Sequence, residues 1–441
     1  MRREPAGAPM KLLVIGSGGR EHALVWKLAQ SPAVRQMWCA PANAGIAQER
    51  LLSNGALVQP LRITAEDLPQ LLAFAQAHKP DLTVIGPDNP LALGIVDRFQ
   101  KAGLRAWGPN RKAAQFESSK AFSQRFMETH GIPTARSATF VDAQRAKDFA
   151  ASLRGRCVVK ADGLALGKGV LLCANWTEAS QAIDEMLVRG AFGAAGAKII
   201  IQEFLEGTEI SLHALCDGKT AVLFPTAQDH KRALEGDRGL NTGGMGAYSP
   251  APFLSPAALA EVGSAILGPW LRGCAAEQID FHGILYPGVM LTSAGPRVLE
   301  FNARFGDPET QAYLPRLEND LVELLEASLD GALGRVELKW NSMATVCVVM
   351  ASGGYPGSYS KGKPIQGLEH AGRLPNTKIF HAGTARAGDQ IVTNGGRVLG
   401  VTAWAKDLRA ARDAAYAALD QVHFEGAHFR RDIAAKGLLF D

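Results

Sequence analysis

The chain has 441 residues, of which 47% are hydrophobic and 20% charged, which is typical of a soluble multidomain protein and excludes a disordered or fibrous one. The net charge of +4 comes from scattered Lys and Arg residues, so nucleic acid is not an expected partner. No apolar run approaches the ~20 residues of a membrane helix, and no signal peptide is recognised, so we expect a cytoplasmic protein without a membrane partner. The six cysteines lack metal-binding spacing and are predicted to be reduced thiols.

The N-terminal region alternates short apolar runs with helical patterns. KLLVIG from Lys11 and DLTVIGP from Asp81 are strand-like, and a helix around Leu68 is predicted to follow an N-cap at Thr64. This alternation predicts βαβ units and an open parallel sheet across residues 10–112. Residues 1–9 are predicted to form a disordered tail.

A glycine-rich turn follows the first strand. Gly16, Gly18 and Gly19 precede a helical pattern, and backbone amides at a helix N-terminus bind anions. The dinucleotide fingerprint requires a third glycine where this chain has Glu21, which disfavours a nicotinamide-dependent oxidoreductase. A single phosphate fits better, with Arg20 and His22 as helpers, and a tight turn without a ligand is the alternative.

Beyond Lys120 the pattern becomes rich in strands. Two strand-like runs, expected to pair antiparallel, flank a glycine-rich connector from Gly163 to Gly169. A Walker A loop is excluded, because Lys168 is followed by Gly169 where Ser or Thr is needed. The connector is predicted to be a flap whose amides close over polyphosphate, with Lys160 and Lys168 supplying positive charge; a plain hairpin turn is the alternative.

Two further segments of the central region have weaker signals. The linker Glu203 to Leu205 separates two strands and offers backbone groups to an adenine edge, with Glu209 available to a ribose, although surface acids explain the pattern equally well. The glycine-dense stretch from Asp229 has few helix or strand formers and is predicted to be an extended loop, which in compact domains is usually functional.

The run VLEFN is predicted to be a strand, in which alternate side chains share a face. Glu300 and Asn302 therefore point to one side, and a carboxylate and an amide oxygen suit Mg²⁺ completed by phosphates and water. A half-solvated strand without a metal is the alternative. A new unit is predicted to begin near Ser342 and to close on an amphipathic helix from Leu408.

The ordered motifs GSGGREHA, ESSKAF, GIPTA, KADGLALGKGV, AQDHKR, NTGGMGAYSPAP, LEFNARFGDPETQ, ASGGYPG, HAGT and GGRVLGVTA closely resemble the phosphoribosylamine–glycine ligase family of the ATP-grasp superfamily. The resemblance implies an α/β and α+β multidomain fold. Its parts are the N-terminal open parallel sheet, a two-subdomain ATP-grasp domain at 113–336 with a mobile flap subdomain near 134–206, and a small α+β domain at 337–441.

The resemblance also implies roles for individual residues. Glu300 and Asn302 become ligands of Mg²⁺ or Mn²⁺, and Lys160, Arg304 and Asp307 become catalytic. The implied ATP-binding residues are Lys120, Lys160, Gly163, Gly167, Lys168, Gly169, Glu203, Phe204, Leu205 and Glu209. The implied substrate-binding residues are Gly16, Gly18, Gly19, Arg20, Asn241, Thr242, Gly243 and Gly244.

The implied reaction is the ATP-dependent joining of glycine to 5-phosphoribosylamine in purine synthesis, through glycyl phosphate, by an enzyme expected to be a monomer. Alternatives are another ATP-grasp carboxylate–amine ligase and a non-catalytic nucleotide sensor. The chain departs from the family pattern near the presumed substrate and ATP loops, at Ala42, Asp88, Ser118 and Leu240. None of these departures removes an implied metal or phosphate ligand.

Overall fold

The computed structural model describes residues 9–164 and 169–440. The predicted tail therefore lies outside the described residues, apart from Pro9. Within the described ranges, no helix is long and apolar enough to cross a membrane.

The N-terminal region is the predicted open parallel sheet. Its strand order is β3-β2-β1-β4-β5, with β1 Met10–Ile15, β2 Val34–Ala40, β3 Gln59–Pro60, β4 Leu82–Ile85 and β5 Ala106–Trp107. The accompanying helices are α1 Gly19–Leu28, α2 Leu68–His78, α3 Asp88–Ala92 and α4 Ile95–Lys101. The predicted cap of α2 at Thr64 is wrong: Asp67 caps this helix, because its carboxylate accepts a hydrogen bond from the Gln70 amide at 3.1 Å.

A four-stranded antiparallel sheet, called here the flap sheet, lies within the predicted flap subdomain. Helices α5 Gln115–Ser118 and α6 Lys120–Thr129 lead into it, and the strand order is β6-β9-β7-β8. The strands are β6 Ser137–Phe140, β7 Cys157–Ala161, β8 Val170–Cys173 and β9 Ile199–Glu203, and helices α7 Ala143–Ser152 and α8 Trp176–Ile183 cover one face. The predicted antiparallel pairing around the connector is confirmed.

The second sheet of the central region is built around a long two-stranded ribbon. β17 His282–Thr292 pairs with β18 Gly295–Asn302 along one edge and with β10 Thr208–Ser211 and β11 Ala214–Asp217 along the other. β12 Ala221–Leu223 extends this sheet beyond β11. The helices that follow in sequence are α9 Pro256–Ala276, α10 Glu309–Tyr313 and α11 Leu321–Leu329.

The third large sheet joins the C-terminal part of the chain to the segment after Gln228. Its order is β13-β16-β19-β23-β20, with β13 Gln228–Asp229, β16 Gly246–Ser249, β19 Ala344–Ala351, β20 Thr377–His381 and β23 Arg397–Ala405. Two small hairpins, β14 Arg232–Leu234 with β15 Arg238–Asn241 and β21 Thr384–Ala387 with β22 Gln390–Thr393, accompany it. Helices α12 Leu368–Ala371 and α13 Leu408–Leu419 complete this part.

The prediction of an extended loop from Asp229 is wrong, since this segment contains the β14–β15 hairpin and strand β16. Gly236 and Asp237, with φ of 65° and 53°, form the reversal between β14 and β15, and Gly239, with φ of 81°, lies within β15. β16 takes its hydrogen bonds from β13 and β19, so strand neighbours rather than local strand formers decide the structure here.

Candidate active site

A cleft lies between the flap sheet and the β17–β18 ribbon. Lys160 on β7 extends into it and donates from Nζ to the carbonyl of Leu299 on β18 at 2.9 Å. The same pocket is lined by Lys120, Gln202 and Glu300, so residues from α6, β7, β9 and β18 meet in one place. Two of the predicted phosphate-binding lysines are thus brought beside a predicted metal ligand.

Asp162 fixes the position of Lys120 relative to the flap strands. Its Oδ1 accepts from the Ser119 hydroxyl at 3.0 Å and from the Ala121 amide at 2.7 Å, and its carbonyl accepts from the Lys120 amide at 3.1 Å. Ser119 itself caps α6 through a hydrogen bond from the Phe122 amide. The end of β7 and the start of α6 are therefore held together.

The electrostatics of the cleft are governed by one carboxylate among several lysines. Burial alone would raise the pKa of Glu300, but Lys120, Lys231 and Lys160 lower it to about 2. Burial, together with Lys120 and Lys231, lowers the pKa of Lys160 to about 8, although Glu300 opposes this shift. Glu300 is therefore ionised at neutral pH, and the surrounding positive charge suits a polyphosphate.

Glu300 faces an open space because its partner on β17 is a glycine. Gly288 pairs with Glu300, and a Cβ at Gly288 would lie 3.9 Å from Glu300 Cγ and 4.0 Å from Glu209 Oε1. Glu209 and Glu300 thus border the same spot from opposite sides of β17. A larger residue at this position would fill the space between the two acids.

Sequence reasoning missed Lys231 as a member of the cleft. Its ammonium forms an ion pair with Glu209, and although burial lowers the pKa of Lys231, Glu209 and Glu300 together raise it above its ordinary value. The predicted ribose-binding acid is therefore paired with a lysine. The motif AQDHKR, which contains Lys231, was the available signal.

Asn302 and Arg304 are held by contacts with each other, with β17 and with α5. The amide nitrogen of Asn302 donates to the Tyr286 carbonyl at 3.3 Å, and its Oδ1 accepts from Arg304 at 3.1 Å. Arg304 also lies 2.7 Å from Glu117, whose other carboxylate oxygen accepts from the Ala303 amide at 2.8 Å. Both predicted residues are consequently fixed in orientation next to Glu300.

Asp307 joins the predicted substrate elements. Its carboxylate accepts from Gln311 at 2.8 Å and from the Arg20 amide at 3.4 Å, and it lies 3.3 Å from the guanidinium of Arg397. Burial would raise the pKa of Asp307, but Arg397 and Arg20 lower it. Arg397 also donates to the carbonyls of Asp307 and Gly243. Sequence reasoning missed Arg397, which lies in the quoted motif GGRVLGVTA.

The loop after β15 is held by its own side chains and by the C-terminal part of the chain. Asn241 is the last residue of β15, and the Thr242 hydroxyl donates to the Lys231 carbonyl at 2.9 Å and accepts from the Gly244 amide at 3.0 Å. The Gly243 amide donates to the Tyr355 hydroxyl at 3.0 Å. This predicted substrate loop thus lies against both Lys231 and Arg397.

The N-terminal glycine turn is closed by an acid. Glu21 accepts from the Gly18 amide and from Arg20 Nε, each at 2.6 Å, and Arg20 also donates to the Phe305 carbonyl at 3.0 Å. A Cβ at Gly16 would lie 2.5 Å from Glu21, so this glycine makes room for the acid. Glu21 occupies the position of the third fingerprint glycine, and its side chain caps the N-terminus of α1. Gly19, the first residue of α1, lies beside Asp307.

The remaining ATP-side predictions differ in how far the structure describes them. The Gly163 amide donates to Ala195 at 3.3 Å, and the Gly169 carbonyl accepts from Ala161 at 2.8 Å, so both ends of the connector are anchored. Gly167 and Lys168 lie outside the described residues.

The predicted adenine linker is packed against the flap subdomain. Glu203 accepts from the Arg136 amide at 2.7 Å, and the Arg156 guanidinium lies 4.4 Å from the ring centre of Phe204. Leu205 is half-buried beside them. The carboxylate of Glu203 is therefore occupied within the protein, whereas a role in recognising adenine stays a prediction.

A buried polar cluster around Glu309 was not predicted. Glu309 accepts from Ser211 at 3.0 Å and from the Tyr286 hydroxyl, and burial together with Glu309 raises the pKa of Asp229 well above its usual range. Among the described residues, His213 Nε2 and Asp229 Oδ1 are buried without a hydrogen-bond partner. Polar groups left in this way are candidates for contact with a substrate.

The donor set fits a phosphate-bound divalent cation. Within the described ranges, no group of three or more His, Cys, Asp or Glu residues is placed to hold a metal. Mg²⁺, however, is usually bound by one or two carboxylates together with substrate phosphates and water. Glu300 is ionised, and Asn302 Oδ1 keeps one acceptor position beside its bond to Arg304. These two residues would hold the cation.

Three profiles of one family match successive parts of the chain. They describe the N domain of phosphoribosylglycinamide synthetase at residues 10–117, its ATP-grasp (A) domain at 118–310 and its C domain at 345–436. The phosphoribosylamine–glycine ligases of Vibrio cholerae and Allochromatium vinosum are each 47% identical, with 97% of this chain and 99% of each relative covered.

Solved structures agree with this assignment. The phosphoribosylamine–glycine ligase of Thermotoga maritima is 31% identical, with a TM-score of 0.82 over 96% of this chain and all of that one. The biotin carboxylase domain of Hydrogenobacter thermophilus 2-oxoglutarate carboxylase, at 17% identity and a TM-score of 0.73, shares the fold over 96% of this chain and 92% of that one. The chain therefore belongs to the phosphoribosylamine–glycine ligase family, the ATP-grasp carbon–nitrogen ligases that form glycinamide ribonucleotide in purine biosynthesis.

Proposed function

We propose that the lysine-rich cleft around Glu300 binds ATP and phosphorylates the carboxylate of glycine, and that the amine of 5-phosphoribosylamine then displaces the phosphate. The products are glycinamide ribonucleotide, ADP and phosphate. The observation that supports this most directly is an ionised Glu300 next to Asn302, facing Lys120, Lys160 and Lys231. In such a site the lysines neutralise the phosphate charge, and Glu300 stays ionised and able to bind a metal ion.

Activation is needed because a carboxylate would have to expel an oxide to react with an amine. Conversion to an acyl phosphate provides a better leaving group, and the protein contributes mainly position and charge in phosphoryl transfer. Lys160 and Lys120 would contact the transferred phosphate. A divalent cation, Mg²⁺ or Mn²⁺, would supply further neutralisation of the phosphate oxygens when bound by Glu300 and Asn302.

The substrate side would be assembled by Asp307, Arg304 and the loop from Asn241 to Gly244. Asp307 lies between the glycine turn and Arg397, so it borders both the N-terminal and the C-terminal parts of the chain. The sugar phosphate would bind near Gly16 to Arg20, whose anion site is reduced because Glu21 already accepts from the Gly18 amide. Closure of the flap from Gly163 to Gly169 would exclude water from the acyl phosphate.

The decisive experiment is substrate-dependent ADP formation, measured by a coupled assay with 5-phosphoribosylamine generated in place. We expect ADP to form with glycine and to require both substrates for steady turnover. Turnover with a different small acid or amine would instead support another ATP-grasp ligase, and ATP binding without turnover would support a nucleotide sensor. The monomeric state and the cytoplasmic location are further proposals, tested by light scattering of the purified protein and by fractionation of cells.

A further inference from the structure

Two cysteines lie opposite each other in the flap hairpin. Cys157 on β7 pairs in register with Cys173 on β8. Both residues are buried on the same face of the sheet, with 0% and 2% of their surface exposed. The Ala161 amide donates to the Gly169 carbonyl in the same register. By the alternation of antiparallel ladders, Cys157 and Cys173 therefore form a hydrogen-bonded pair, with Cα atoms about 5.5 Å apart.

That separation is within the range that a disulfide spans, which is about 4.4–6.8 Å between Cα atoms. The Cys173 thiol donates to the Leu171 carbonyl at 3.7 Å, and its interaction with Cys157 lowers the pKa of Cys157. Among the six cysteines, all of which are buried, only these two are register partners within the described strands. We propose that Cys157 and Cys173 are a reversible oxidation site, at which a peroxide or a disulfide oxidant such as oxidised glutathione links the two arms of the flap hairpin.

The pair has a route to a small oxidant. β8 is the edge strand of its sheet, and Cys173 borders an open surface groove with Leu172, Glu178, Gln181 and Glu185. In the step itself, the two thiols lose two electrons and two protons while hydrogen peroxide is reduced to two molecules of water. With oxidised glutathione, two molecules of glutathione are released instead. Neither oxidant is consumed or produced by the ligase reaction.

The position of the pair separates it from the catalytic groups. Side chains on β7 alternate, so Lys160 faces the ATP cleft whereas Cys157 faces helices α7 and α8. The cross-link would close the chain around the connector that contains Gly163 and Gly169. It would restrain separation of the edge strand from β7 without touching a phosphate ligand. In a reducing compartment, such a bond is expected to be transient and to report oxidative stress.

The test uses the full-length enzyme. After brief exposure to hydrogen peroxide, free thiols are blocked under denaturing conditions and the digest is analysed by mass spectrometry. We expect one pair of peptides joined through Cys157 and Cys173, with a mass two hydrogen atoms below the sum of the two separate peptides. Dithiothreitol should return the two separate peptides. Amide hydrogen exchange in β8 should also slow in the oxidised protein, because the cross-link opposes local opening.

Variants keep the outcome interpretable. Cys157→Ala and Cys173→Ala should each abolish the cross-link and the slower exchange, whereas Cys274→Ala, which removes another buried thiol, should leave both unchanged. Recovery of Cys157 and Cys173 as blocked thiols or as sulfinic acids after peroxide would overturn the proposal. Because the readout needs no turnover, its failure is distinguishable from failure of the proposed catalytic roles.

Discussion

Replacing Glu300 by Gln tests the centre of the proposed site. The lysines around Glu300 lower its pKa from 4.5 to about 2, which at 1.36 kcal/mol per unit corresponds to roughly 3 kcal/mol in favour of the charged form. Gln cannot supply that charge to a phosphate-bound cation, so we expect kcat/KM to fall by about 100-fold or more.

The assay is glycine-dependent ADP formation at saturating Mg²⁺, alongside circular dichroism to establish that the variant is folded. Glu261→Gln is the matched control, because Glu261 is exposed on α9 and does not line the cleft, so the same charge is removed elsewhere. Near-normal turnover of Glu300→Gln would refute the reasoning. So would an equal loss of activity in the control.

Three further predictions follow from other contacts. Burial lowers the pKa of Lys160 to about 8, so its positive charge is present below that pH and lost above it. The KM for ATP should therefore rise as the pH passes 8. An active Lys160→Arg variant should show a flatter dependence of KM on pH, because Arg stays charged. Arg397→Gln should raise the KM for the substrates while leaving that for ATP near normal, since Arg397 contacts Asp307 and Gly243; an equal rise for ATP would contradict this. Glu117→Gln should lower the stability measured by urea unfolding by about 3–5 kcal/mol, because it leaves Arg304 buried without its ion pair, and an unchanged midpoint would count against that pair.

Local sequence patterns predicted the features that depend on neighbours along the chain. Alternation alone placed Glu300 and Asn302 on one face of β18, and apolar runs separated by helices predicted the parallel sheet. The antiparallel arms of the flap followed from two β-rich runs around a glycine connector. Each of these depends on a few successive residues, which is the range over which periodicity carries information.

Features that depend on distant partners could not be predicted in the same way. The pairing of Lys231 with Glu209 and of Arg397 with Asp307 depends on tertiary contacts between separate segments. The segment after Asp229 becomes partly extended because β19, about a hundred residues later, supplies the hydrogen bonds of β16. Glu21 disfavoured a dinucleotide site in the sequence, but only the structure shows that it also caps α1.

The contact between Arg397 and Asp307 has a consequence for how the enzyme is made. A polypeptide synthesised only as far as α11 already contains every lysine of the nucleotide cleft, but not the guanidinium that braces Asp307. If these residues act as proposed, the groups that bind the nucleotide are synthesised before the guanidinium that orients Asp307. A truncated product that ends before β23 would therefore contain the lysines of the cleft and lack this contact with Asp307.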